Sequence, residues 1–191
     1  MKFRFSFFLQ IIFSIFLLTN FYARADDINN SSSDQQGMQI VISLNHFEEG
    51  KVYQSEGKFE EALVAYDLAI KNQPDPGFIT DVYLYKGLVL DKLGKSEEAL
   101  AALDLGIKYN SSNPGSYFVK AMILSNLGIF KEAVENFDLA IKHNSNFGDA
   151  YHYKAHALES MGNKDEAKKF YDKAKILCKE HQCLTPVCED H

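Results

Sequence analysis

Four stretches of this chain repeat one amphipathic phrase: GKFEEALVAYDLAI from Gly57, GKSEEALAALDLGI from Gly94, GIFKEAVENFDLAI from Gly128 and GNKDEAKKFYDKAK from Gly162. The intervals are 37, 34 and 34 residues. A unit of that size, repeated, excludes most folds. Each copy is one supersecondary piece that buries its apolar face only against its neighbours, so the chain must stack.

The residues within a unit specify two helices and a turn. Phe59, Ala62, Leu63, Tyr66, Ala69 and Ile70 trace one apolar stripe of a 3.6-residue period. Glu60 and Glu61 stand in the first turn, where carboxylates suit the positive helix end, and Asn72-Gln73-Pro74 stops the helix. A preceding helix from about Ser43 to Ser55 is joined through Gly57, and so short a turn makes the two helices antiparallel neighbours. Small residues recur in register on both: Ala62, Ala99, Ala133 and Ala167 on the second helix, and Gly50, Gly87, Ala121 and Ala155 on the first. They let the two backbones approach closely, and a large side chain there would prise the pair apart.

This register resembles the tetratricopeptide repeat, a helix-turn-helix unit of 34 residues. His46, Tyr83, Tyr117 and Tyr151 each precede the small residue by four positions, and Tyr53, Leu90, Leu124 and Leu158 follow it by three. Tyr66, Leu103, Phe137 and Tyr171, then Ala69, Gly106, Ala140 and Ala174, complete the pattern. There are departures: no unit has the family's Trp, Glu49, Lys86, Lys120 and Lys154 replace its Leu, and its closing Pro survives only as Pro74. Gly77-Phe78-Ile79 are three extra residues, expected to lengthen the first linker. The resemblance implies an all-α fold, a right-handed α-solenoid of four repeats at 43–76, 80–113, 114–147 and 148–181. In the fourth unit Lys168 and Lys175 replace the apolar Leu63/Leu100/Val134 and Ile70/Ile107/Ile141, so no following repeat is expected.

Residues 1–25 read as a secretory signal peptide: Lys2 and Arg4, an apolar core, then Ala23-Arg24-Ala25. The dense apolar stretch from Phe5 to Leu18 is short for a membrane span, and an uncleaved signal-anchor is the alternative. Cleavage before Asp26 would leave 17 basic residues against 26 acidic ones. An acidic exported chain, periplasmic or secreted, is the expectation, without affinity for nucleic acid or anionic lipid. Residues 26–42 are expected to be a polar linker, and 182–191 a cysteine-containing tail. Asn29, Asn30 and Asn110 sit in N-x-S, which matters only in a eukaryotic secretory pathway.

Two clusters have residue types suited to chemistry. Cys178, Cys183 and Cys188 recur every five residues beside His181 and His191. In an exported chain this reads as one disulfide and a leftover thiol, the third cysteine being able to pair between chains; a zinc site is the alternative, although zinc ligands are usually spaced more closely. On the opening helix of the fourth unit, Asp149, His152, His156 and Glu159 share one face. Two imidazoles four apart suit a divalent metal, but no third ligand from another segment is identifiable, so no metal is expected. Neither GxSxG, HExxH, CxxC nor a glycine-rich phosphate loop occurs, and neither catalysis nor a cofactor is expected.

The resemblance also implies where a partner would bind, because in that family the first helices line a concave groove that takes a peptide or helix of another protein. The matching residues are Phe47, Lys51 and Gln54, then Leu84, Leu88 and Asp91, then Phe118, Met122 and Ser125, and finally His152, His156 and Glu159. Phe47, Leu84, Leu88, Phe118 and Met122 would form an apolar strip in an acidic protein. The family's clamp for a terminal carboxylate is unmatched, since Phe47 and Lys51 stand where Lys and Asn belong. The alternative function is a metal- or redox-responsive exported protein using the Cys/His tail or the His152/His156 face.

Overall fold

In a computed structural model that describes residues 32–72 and 76–181, the apolar stripes become four antiparallel helix pairs. They are α1 (Ser32–Ser55) with α2 (Phe59–Lys71), α3 (Pro76–Lys92) with α4 (Ser96–Tyr109), α5 (Pro114–Asn126) with α6 (Phe130–His143), and α7 (Gly148–Ser160) with α8 (Lys164–His181). Every described helix also packs on the next in sequence, and first helices touch the first helices of adjoining units. That places α1, α3, α5 and α7 along the inner face of the array and the second helices outside.

The turn within each pair is the same. Gly57, Gly94, Gly128 and Gly162 have φ of 75°, 73°, 77° and 87°, a region that only glycine occupies without strain. In the first turn the Lys58 N–H donates to the Tyr53 carbonyl at 2.9 Å and the Gly57 N–H to Gln54 at 3.1 Å. This is the Schellman closure of a helix end. It returns as Lys95 to Leu90, Ile129 to Leu124 and Asn163 to Leu158, all at 2.9 Å.

Inside each pair the small residues allow close contact. Ala62, Ala99 and Ala133 are wholly buried and Ala167 nearly so. A Cβ on Gly87 would stand 2.9 Å from Leu103 Cγ, and one on Gly50 would run into the Tyr66 ring. Units one and two have a further tie at their open ends. The Ser43 hydroxyl donates to the Ala69 carbonyl at 2.7 Å, and the Thr80 hydroxyl to Gly106 at 3.1 Å.

Two regions differ from the sequence reading. Helix α1 begins at Ser32, so residues 32–42, expected as polar linker, are largely helical. Their backbone hydrogen bonds continue those of the repeat helix, while Met38, Ile40 and Val41 remain exposed. The three extra residues before unit two likewise lie in a helix. Pro76 occupies the first turn of α3, where its missing N–H costs nothing, and Gly77-Phe78-Ile79 continue that turn. Helix α3 has 17 residues where α5 and α7 have 13.

The lysines that replace the family's Leu form a ladder between units. Lys86 Nζ donates to Asp67 at 2.5 Å, Lys120 to Asp104 at 2.5 Å and Lys154 to Asp138 at 2.6 Å. Each pair joins a first helix to the second helix of the preceding unit. The lysine stems are largely buried while the carboxylates stay exposed. The last rung is the driest, since the Lys154 side chain is 7% exposed and its ammonium lies 3.8 Å from the Phe170 ring centre.

Two stability predictions follow from these contacts. Gly50→Ala should destabilise the chain by roughly 1–3 kcal/mol in denaturant unfolding through overpacking against Tyr66, whereas Gly37→Ala, with open space around it, should be neutral or slightly stabilising. Asp138→Asn strands a nearly buried ammonium and should cost about 1–3 kcal/mol; Asp67→Asn, whose Lys86 partner reaches water, should cost under about 1 kcal/mol.

Candidate protein-binding groove

The twelve groove residues suggested by the sequence occupy three successive turns of the first helices, and only part of that set is open to a partner. The deepest row is Phe47, Leu84, Phe118 and His152. Phe47 is 8% exposed, with its ring centre 5.9 Å from Tyr66, 5.2 Å from Phe78 and 5.3 Å from Tyr85. Phe118 repeats the arrangement two units later, 6.0 Å from Phe137, 4.7 Å from Phe147 and 5.6 Å from Tyr153. Each ring is boxed by one ring from its own second helix and two from the following first helix or its N-cap. Leu84 is half-buried in the cluster of Leu90, Leu103, Val119 and Ile123. His152 is 9% exposed, 5.3 Å from the Tyr171 ring.

Phe47 is therefore a core residue, with little apolar surface left for a partner. Phe78, supplied by the added turn of α3, helps to close over it. Phe118 is half-buried in the same kind of box, so a charge placed there would strike the unit junction as well as the groove.

The next rows are more open. Lys51 reaches Glu48 at 2.7 Å and lies 4.9 Å from the Phe47 ring centre, covering it with a cation. Gln54 Oε1 accepts the Tyr66 hydroxyl at 2.8 Å. Leu88 and Met122 are half-buried, their inner atoms packed on the core. Asp91 lies 3.4 Å from the Ser96 hydroxyl. His156 is exposed, and Glu159 accepts the Tyr171 hydroxyl at 3.1 Å.

At the junction of units three and four these rows enclose a cleft of about 230 Å³. Met122, Ser125, His152 and His156 line it, all four from the suggested set. Asn126, Phe130, Tyr153 and Ser160 complete the lining and were not suggested by the sequence. Asn126 and Ser160 lie one helical turn beyond Met122 and His156, a spacing that could have found them. Phe130 opens the second helix of unit three, and no first-helix pattern points to it. The result is an apolar floor of Met122, Phe130 and Tyr153 rimmed by hydroxyl, amide and imidazole groups, with the geometry of a socket for one apolar side chain of an extended or helical segment.

Among the described residues no three His, Cys, Asp or Glu side chains come together to hold a metal ion. Cys178 is disulfide-bonded. Cys183 and Cys188, like residues 1–25 that read as a signal peptide, lie outside the described residues. Among the described residues no helix is long and apolar enough to cross a membrane.

Burial raises two tyrosine hydroxyls that bind groove residues. Tyr66, bonded to Gln54, is pushed far up, and Tyr171 rises to about 12 through burial, with the Glu159 hydrogen bond and charge adding to it. The folded state then holds these protons more tightly than the unfolded chain does. Their contribution is complete below pH 10 and is lost as pH rises towards 12. Burial raises Tyr83 as well, so ultraviolet titration should show three tyrosines ionising late, together with alkaline unfolding, and Tyr171→Phe should remove one late step.

Comparison with known proteins follows the same geometry. The tetratricopeptide repeat family matches residues 45–76, 80–113, 114–147 and 148–178. No curated protein matches the whole-chain sequence. Among solved structures, a crystal structure of MamA aligns at 22% identity and a TM-score of 0.65 over 72% of this chain and 79% of its own. YrrB, described as a tetratricopeptide protein with an unusual peptide-binding site, aligns at 20% and 0.61 over 85% and 84%. The first repeat domain of Spaghetti (RPAP3), bound to the HSP90 peptide SRMEEVD, aligns at 18% and 0.60 over 64% and 95%. At these identities the likeness is one of fold. With four matched units spanning most of its length, the chain belongs to the tetratricopeptide repeat family.

Proposed function

We propose that this chain is a non-catalytic interaction module, exported to the periplasm or beyond the cell, that takes a peptide or helix of another protein in its concave groove. The observation that carries the proposal is the cleft between α5 and α7, an apolar socket rimmed by hydrogen-bonding groups on the inner face of the solenoid. Two structural neighbours support the mode of binding, since YrrB has a peptide-binding site and the Spaghetti domain is bound to an HSP90 peptide. Export rests on the leader, and a bonded Cys178 fits an oxidising compartment.

The groove's chemistry narrows the partner. Phe47 is buried where a clamp lysine would stand, and Lys51 is engaged by Glu48, so unit one offers no free cation pair for a terminal carboxylate. The open positions instead ask for an internal segment with an apolar anchor and neighbouring polar groups.

Met122 tests this better than Phe118, because it borders the cleft without sitting in a ring box. With a partner isolated on the wild-type protein, Met122→Glu should weaken binding in titration calorimetry by a hot-spot amount, roughly 2 kcal/mol or more, with helicity and melting near wild type. Lys169→Glu, on exposed α8 surface, is the control and should change neither. A folded Met122→Glu protein with undiminished affinity would place recognition elsewhere.

A further inference from the structure

The two ends of the described solenoid carry charged residues at several of the positions by which units stack inside it. A cleft of about 420 Å³ on α1 is lined by Asn45, Glu48, Glu49, Val52 and Tyr53. Moved forward by the 37-residue interval, the first four become Val82, Tyr85, Lys86 and Val89 of α3. Those residues hold unit two onto unit one: Val82, Tyr85 and Val89 belong to the shared core, and Lys86 bonds to Asp67. The α1 cleft is thus the seat that a preceding second helix would fill. It is half-apolar and acid-rimmed, and Val52 is 54% exposed.

The opposite end presents the complement. Phe59, Leu63 and Ile70 of α2 pack into the unit-one junction core. Their counterparts on the final helix α8 are Lys164, Lys168 and Lys175, all exposed. Lysine stems can cover an apolar seat while their ammonium groups reach its acidic rim.

We propose that copies of this chain associate head to tail, with the lysine face of α8 seated in the α1 cleft of the next molecule. Glu48, paired within its own helix to Lys51 at 2.7 Å, would exchange that partner for Lys168 and Lys175. One position opposes the contact, because in register Glu49 faces Asp172, the counterparts of Lys86 and Asp67 in the ladder. That mismatch keeps the association weak and identifies the register. The contact is heterologous, so it does not close at a dimer, and it leaves the inner groove free.

The test is sedimentation equilibrium over a concentration series, on protein expressed from its full reading frame and purified as the host processes it. The average mass should climb past that of a dimer at low salt. It should fall back near 1 M salt, where screening acts within about 3 Å. Lys168→Glu with Lys175→Glu should weaken association about tenfold or more, and adding Glu48→Lys should restore it. Glu49→Lys alone should tighten it by completing a rung with Asp172. Circular dichroism checks that each variant folds. A single-chain mass throughout, a dimer unchanged by the lysine replacements, or a weaker Glu49→Lys protein would each overturn the proposal.

Discussion

The close approach of two helices within each pair is the contact on which the rest of the structure depends. Gly50 lies against the Tyr66 ring and Gly87 against Leu103 and the Ala99 carbonyl, while Ala62, Ala99, Ala133 and Ala167 are buried on the facing helices. That closeness lets one large residue in each of the first three units, Tyr66, Leu103 or Phe137, lie across the facing helix and reach the next unit. In units one and two the fit leaves no room for a Cβ on the first helix, and glycine stands there. The third and fourth units have alanine at the same place. A pair spread by a larger residue would lose its internal contact and the platform for its neighbour together.

Stacking then divides between apolar packing and charge. The ring boxes around Phe47 and Phe118 draw two of their three outer rings from the following first helix or its N-cap, so core and junction are one structure there. Beside them the Lys–Asp ladder joins units through side chains 16 to 19 residues apart. Exposed ion pairs contribute little individually. Their value here lies more in register, since each lysine meets its aspartate only when the units are correctly aligned. The same logic makes the two ends of the described array legible as surfaces, because each carries the positions of one half of a junction whose other half is known from the interior.

The groove inherits its character from this packing. Phe47 and Phe118 of the deepest row are consumed by the junctions, and the cleft is lined by His152 with Met122, Ser125, His156 and the residues one turn beyond. The socket lies between units three and four, where the small Ser125 and Ser160 leave space that bulky side chains would fill.

The sequence by itself determined the number of units, the two helices of each, the turn glycines and the small-residue contacts. All of these are set within a few turns of chain, where periodicity states directly which face is buried and where a helix must end. Only the tertiary structure decided what lies against that face. Phe47 and Leu88 both look like groove residues in one dimension, yet Phe47 is enclosed because an added turn of α3 brings Phe78 over it. Lys86, Lys120 and Lys154 read as departures from a pattern until the preceding helix supplies an aspartate to each. Phe130 joins the cleft from a helix whose repeat pattern marks only its core. The physical reason is common to all three: a helix stripe gives the direction of a side chain, while burial and pairing depend on a neighbouring helix whose position comes from stacking.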